Sequence, residues 1–317
     1  MINKIRFYSK LGYKLIKKEV VNRDDYKEEY DKVSDTYHYW LKEMGRYTDN
    51  IINSKYIEID KELKILDFAC GTGYITKGLL NKSTKYKITS VDQSDKMLEK
   101  LFNRDDLIGT IESIETIETI DNIETIKTVG TKVTRLGRVT AIQSDGIEFL
   151  KTTNERYDVI FFGWALSYFD HNELLKLFNR VLKPGGILAI ITNVEGTLDK
   201  IESIFLKVMS EKQEEVIKPM DIKFNLPKGK EGLIRWCSQY GFKALEVEEG
   251  EVFFSFKEPG ELLQWLNITG AAAGTRKIFK NYHEVKPFII EKIKKEKYKN
   301  GVYEINHKFA YGIFRKE

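Results

Sequence analysis

Two cysteines, Cys70 and Cys237, are all that a chain of 317 residues contains. That scarcity excludes a disulfide scaffold and any cysteine-cluster metal site, and it fits a reducing cytosol, so a cytoplasmic location is expected. Long apolar runs are missing too. Met1 to Val21 is amphipathic and basic, but it has neither the apolar centre of a signal peptide nor the ~20 apolar residues of a membrane span, and its arginines are too few for a transit peptide. There is no excess of one charge: 52 Lys and Arg stand against 48 Asp and Glu, so net charge carries no nucleic-acid footprint. Histidine is limited to His38, His171, His283 and His307. The length suffices for one good core with appended elements, or for two small domains.

The most informative stretch is Ile65-Leu66-Asp67-Phe68-Ala69-Cys70-Gly71-Thr72-Gly73-Tyr74-Ile75-Thr76. It reads as a buried strand that turns into a helix, with Gly71 and Gly73 at the bend. Glycine there permits positive φ and lets a ligand approach bare backbone. The helix start adds free N–H groups and the positive end of a dipole. A nucleotide-like ligand follows. The dinucleotide fingerprint needs a third glycine, and Thr76 fills its place; no P-loop lysine follows either. What remains is Asp67-x-x-x-Gly71-x-Gly73, then a second strand from Tyr86 to Val91 that ends in Asp92. An acid at that point can accept two hydrogen bonds from a ribose diol.

Asp67 to Gly73 and Val91-Asp92-Gln93-Ser94-Asp95-Lys96-Met97-Leu98 resemble motifs I and II of the class I S-adenosylmethionine-dependent methyltransferases. Gln143-Ser144-Asp145-Gly146 resembles that family's acidic turn, Tyr157 to Phe162 its fourth strand, and Arg180-Val181-Leu182-Lys183-Pro184-Gly185-Gly186-Ile187-Leu188 its turn into the fifth. The likeness covers about residues 26 to 193. One departure is Ala69, where the family often has glycine. The expected fold is a doubly wound, Rossmann-like α/β sheet of seven strands, the last antiparallel, with N-terminal helices and a C-terminal lid. The expected division is an N-terminal helical cap (1–63), a cofactor-binding core (64–193, with an insertion at 107–138), and lid elements with the closing strands (194–317).

Along the chain, Lys10 to Glu19 and Asp24 to Met44 read as helices, the second with Tyr26, Tyr30, Val33, Tyr37 and Trp40 at three-to-four spacing. Core strands are expected at 64–68, 87–92, 139–143, 159–163 and 187–193, alternating with helices at 75–80, 95–102, 146–151 and 172–181. Between the second and third strands, isoleucine recurs every third residue from Ile108 to Ile126. Neither a helix nor a strand gathers that spacing on one face. It reads as a low-complexity expansion, with a partner- or membrane-contacting element as the alternative. Further on come helices over 196–216 and 231–240, a strand after Gly241, a possible hairpin partner at 251–256, a helix from Pro259, and a last strand over 303–314.

The resemblance implies S-adenosyl-L-methionine as cofactor, no metal, and a small-molecule acceptor methylated at O, N or C by in-line displacement. Its implied contacts are Asp67, Ala69, Gly71 and Gly73 at the methionine part, Asp92 and Gln93 at the ribose, and Met97, Asp145 and Gly146 at the adenine. Gly163 and Trp164 line the transfer site, and Tyr30 and Tyr37 come from the N-terminal helix. Asp67 and Asp145 have plainer readings, as a turn cap and a helix cap. No residue stands out as a catalytic base; His171 reads as a helix cap. Phe162-Gly163-Trp164-Ala165 is not the Asn/Asp-Pro-Pro-aromatic motif, which counts against amide or adenine acceptors. A protein or tRNA acceptor, or a cofactor-binding protein without turnover, are the alternatives.

Overall fold

The computed structural model describes residues 9, 12–14, 17, 19–21, 23–102, 118–121, 132–220 and 226–317. In chain order the elements are α1 (Arg23–Val33), α2 (His38–Ile52), β1 (Leu63–Phe68), α3 (Tyr74–Lys82), β2 (Tyr86–Asp92), α4 (Asp95–Leu101), β3 (Glu118–Asp121), β4 (Lys132–Leu136), β5 (Val139–Gln143), α5 (Gly146–Thr152) and β6 (Tyr157–Gly163). There follow α6 (His171–Val181), β7 (Leu182–Asn193), α7 (Ile201–Glu211), α8 (Gly229–Ser238), β8 (Phe242–Phe256), α9 (Pro259–Ile268), α10 (Tyr282–Glu296), β9 (Tyr298–Lys299) and β10 (Val302–Lys316). The sheet runs β3-β4-β5-β2-β1-β6-β7-β10-β8, with β9 paired to β10.

The chain divides into two compact units. The larger holds His38–Glu195, Leu226–Gly250 and Phe309–Glu317. Its centre is the parallel set β5, β2, β1, β6 and β7, with β10 antiparallel to β7. Strands covered on both faces read as near-continuous apolar runs, and Leu66, Phe68, Ile160, Phe162, Leu188 and Ile190 are all fully buried. Phe68, Phe162 and Phe178 meet with ring centroids 5.1 to 5.7 Å apart. The order of connection reverses at β1 and β6, and in open α/β sheets ligands bind outside the carboxyl ends of the strands at such a switch.

The doubly wound class is as expected; the sheet is longer than seven strands. β4 hairpins onto β5 through Gly137 and Arg138, with Leu136 opposite Val139, and β3 pairs with β4. Gly137 has φ 53°, the positive value that a two-residue hairpin turn demands. Of the isoleucine repeat, only Ile120 falls among the described residues, in β3; the reading of the rest lies outside them, as does half of Lys10 to Glu19. Between β6 and β7 the register jumps from Tyr157↔Leu182 to Val159↔Ile187, so Lys183 to Gly186 bulge out where proline and glycine stand.

The other unit holds Met1–Tyr37, Gly196–Asn225 and Glu251–Lys308. Its core is α7 (Ile204, Phe205, Val208, Met209), α9 (Leu262, Leu263, Leu266) and α10 (Val285, Ile289, Ile293) with Tyr303 and Ile305. The predicted single helix over 24–44 is two helices. Ser34 and Thr36 break it: their hydroxyls donate to the main-chain oxygens of Asp31, Val33 and Ile268, the side-chain competition that disfavours these residues inside helices. The strand after Gly241 and the possible hairpin partner at 251–256 are one continuous strand, β8, over Phe242–Phe256.

Candidate functional site

β1 leads into a turn with three left-handed residues in five: Ala69 at φ 55°, Gly71 at 54° and Gly73 at 80°. Gly73 is irreplaceable on two grounds, since a Cβ there would also overlap Leu101 Cδ1 of α4. At Gly71, its chain neighbours apart, no atom of the described residues lies within 4 Å of the place a Cβ would take, so its backbone is open to approach. Ala69 takes the same conformation with a Cβ, at a cost of roughly 1–2 kcal/mol. Ala69→Gly is therefore expected to raise stability by about 1 kcal/mol, the greater freedom of glycine in the unfolded chain offsetting part of the relief. Urea unfolding checks this, and a lower midpoint would contradict it.

Asp67 lies beside Ser90 in the β1–β2 register and is completely buried. Its Oδ2 accepts from the Thr76 main-chain N–H at 3.1 Å and from the Thr76 hydroxyl at 2.6 Å; Ser90 Oγ lies 2.7 Å from that hydroxyl. Thr76, the residue that excludes the dinucleotide fingerprint, thus binds Asp67 to the first turn of α3. Among the described residues Asp67 Oδ1 has no hydrogen-bond partner. Burial pushes the Asp67 carboxyl up to about 7; the Thr76 hydrogen bonds act against that, and Asp92 adds a smaller push.

Asp92, at the carboxyl end of β2, ties the turn to the next helix. Its Oδ2 accepts from Gly71 N at 2.9 Å and its Oδ1 from Ser94 N at 2.9 Å. Ser94 caps α4 by accepting from Met97 N at 3.1 Å, and Met97 is buried. The Gln93 main-chain oxygen accepts from Gln143 Nε2 at 3.5 Å. Asp145 caps α5, its Oδ1 accepting from Glu148 N at 3.0 Å, so the plainer reading of that acid describes real geometry; Gly146 opens the helix.

At the end of β6, Gly163 is followed by Trp164 at φ 64°, an outlier for a bulky residue that costs roughly 1–3 kcal/mol. Its main-chain N–H donates to Ile191 O at 2.7 Å and its indole Nε1–H to Thr48 Oγ1 at 2.9 Å. Trp40 and Phe309 stand edge-on to its ring at 4.9 and 5.6 Å. Thr48 carries no recognised motif, and its only sequence signal is its place on the buried face of α2 with Trp40 and Met44.

The larger unit therefore brings together the ends of β1, β2, β5 and β6, with Asp67, Ala69, Gly71, Gly73, Asp92, Gln93, Met97, Asp145, Gly146, Gly163 and Trp164. Tyr30 and Tyr37 belong to the other unit, where their rings meet edge-on at 6.2 Å. His171 is not a cap. Asp170 caps α6, its Oδ1 accepting from Asn172 N and Glu173 N, while the His171 ring stacks on Trp236 at 3.7 Å and burial lowers its pKa. Burial raises the pKa of both cysteine thiols, which suits small core residues and not nucleophiles. Among the described residues no three His, Cys, Asp or Glu side chains converge as a metal site, and no helix is long and apolar enough to cross a membrane.

Residues 66–188 match the family model of a methyltransferase domain. A malonyl-[acyl-carrier protein] O-methyltransferase of Priestia megaterium is 28% identical over 179 residues, 55% of this chain and 52% of the relative. The chain thus spans about half that relative's length. A demethylmenaquinone methyltransferase of Staphylococcus aureus is 26% identical over 202 residues, 60% of this chain and 71% of the relative. The crystal structure of a candidate methyltransferase from Bacillus halodurans C-125 shares the fold, with a TM-score of 0.51 and 17% identity over 87% of this chain and 99% of that one.

Proposed function

We propose that this chain, a member of the class I S-adenosylmethionine-dependent methyltransferases, transfers a methyl group to a small-molecule acceptor by in-line displacement. The observation that carries this reading is the open Gly71 backbone, locked by the carboxylate that closes β2. The residues fit the cofactor: a bare main chain for its methionine part, a carboxylate beside it able to accept from a diol, and a buried acidic oxygen with no donor among the described residues. S-adenosyl-L-methionine, when bound, supplies an activated methyl group on a sulfonium centre.

The chain's own task is alignment and exclusion of water. Asp92 accepts the ribose hydroxyls; an ionised carboxylate carries about four acceptor sites, enough for two backbone N–H groups and a diol together. Gln93 stands beside it, Met97 covers the adenine face, and Asp145 and Gly146 meet its amino edge. Ala69, Gly71 and Gly73 admit the methionine part, and the buried Asp67 orients its ammonium end through backbone and water. Gly163 and Trp164 border the transfer site. No base is assigned. The two relatives are named for malonyl-[acyl-carrier protein] and demethylmenaquinone, neither a nucleic acid, which supports a small acceptor group.

Calorimetric titration of the full chain with S-adenosyl-L-methionine tests the cofactor; absence of binding sinks the assignment. Incubation of a metabolite extract with the methyl-labelled cofactor then tests the acceptor. Label in a small molecule is expected, and label only in protein or tRNA would overturn that part.

A further inference from the structure

Among the described residues four contacts hold Trp164, and they do unequal work. The Ile191 hydrogen bond fixes its main chain, and the edge contacts with Trp40 and Phe309 fill the space beside its ring. Edge-to-face packing tolerates a range of ring positions. The indole N–H does not: it is a donor only, and when buried it needs an acceptor in one direction. Thr48 Oγ1 is that acceptor, at 2.9 Å. Thr48 is itself only 2% exposed, and its hydroxyl hydrogen is turned back to Met44 O, at 3.5 Å on the same helix. The chain Trp164 Nε1–H to Thr48 Oγ1–H to Met44 O therefore runs in one sense, with α2 as its anchor.

We infer that Thr48 is a positioning residue of the methyl-transfer site: its hydroxyl sets the orientation of the Trp164 indole, and so the wall against which the acceptor lies. This rests on the reading that Trp164 borders that site. Thr48 has no motif to betray it and stands 116 positions from the residue it holds.

The test uses the full-length protein labelled with 5-fluorotryptophan, the Trp164 fluorine resonance being the one lost in Trp164→Phe. Saturating S-adenosyl-L-methionine is expected to shift that resonance in the wild type. Thr48→Val should displace or broaden it even without the cofactor and slow methyl transfer about 10-fold or more, with the cofactor's Kd changed less than about two-fold. Thr48→Ser, which keeps the hydroxyl, should restore both, and melting temperatures identify a variant that has merely failed to fold. A Trp164 resonance indifferent to Thr48→Val, or no rescue by serine in a folded protein, overturns the inference. Cofactor binding that leaves the Trp164 resonance unmoved overturns it too, while the cofactor assignment stands. No binding by the wild type at all removes the assignment and this inference together.

Discussion

Asp92→Ala is expected to weaken S-adenosyl-L-methionine binding by about 100-fold or more. The carboxylate has two tasks in different states of the protein. Without ligand it holds Gly71 N and Ser94 N at 2.9 Å each, bracing the glycine turn against the start of α4. With the cofactor bound it is proposed to accept the ribose diol as well. Hydrogen bonds to a charged group are worth roughly 1.5–3 kcal/mol each, and every 1.4 kcal/mol is tenfold in affinity. Two such bonds therefore give at least the stated loss, before the slackened turn is counted. Asp92→Asn separates the tasks: with one acceptor oxygen it can serve Gly71 N or Ser94 N but not both, and an intermediate loss of about tenfold is expected. Calorimetry on both variants decides. An unchanged Kd for Asp92→Ala would place the ribose elsewhere.

What the sequence announces and what it hides divide along the range of the interactions involved. The glycine turn is legible because its chemistry is local: seven residues, from Asp67 to Gly73, carry the bend and the open backbone. The parallel strands are legible because burial on both faces leaves apolar runs such as Val159-Ile160-Phe161-Phe162 between turn residues. The continuity of β8 is not. The sequence reads as a strand after Gly241 and a separate piece at 251–256, yet Gly250 sits mid-strand because the Phe309 ring occupies the place its side chain would take, a reason glycine is kept inside strands. Phe309 is 59 residues away, and no local pattern announces it. The same holds for Thr48 and Trp164. Thr76 is an intermediate case: its size argues against a dinucleotide, while its hydroxyl's part in holding Asp67 emerges only once β1 and β2 are in register.

The second large effect concerns Asp67, whose carboxyl is buried and pushed up to about 7 from an ordinary value of 3.8. A group whose folded pKa is raised lends stability that is fully present below its unfolded value and is lost as pH rises through the folded one. The window therefore runs from about pH 4 to about pH 7, with a loss on the order of 4 kcal/mol as the ceiling. His307 slopes the other way. Burial lowers it to about 4 from 6.5, so its contribution is present above pH 6.5 and lost as pH falls toward 4, and His171, also lowered by burial, acts in the same sense. The wild-type profile alone would thus conceal Asp67 behind partial cancellation. Asp67→Asn removes one slope and leaves the histidines. Its carbonyl oxygen can still accept from Thr76, so the first turn of α3 keeps its brace. Urea unfolding of both proteins from pH 4.5 to pH 8 is the measurement. The stability of the variant relative to the wild type should climb with pH and level off above about pH 7, the variant overtaking as the wild-type carboxyl ionises in a site where no described residue gives its Oδ1 a donor. A difference between the two that stays constant across the range would mean that Asp67 is ionised throughout, with a donor supplied to that oxygen in solution.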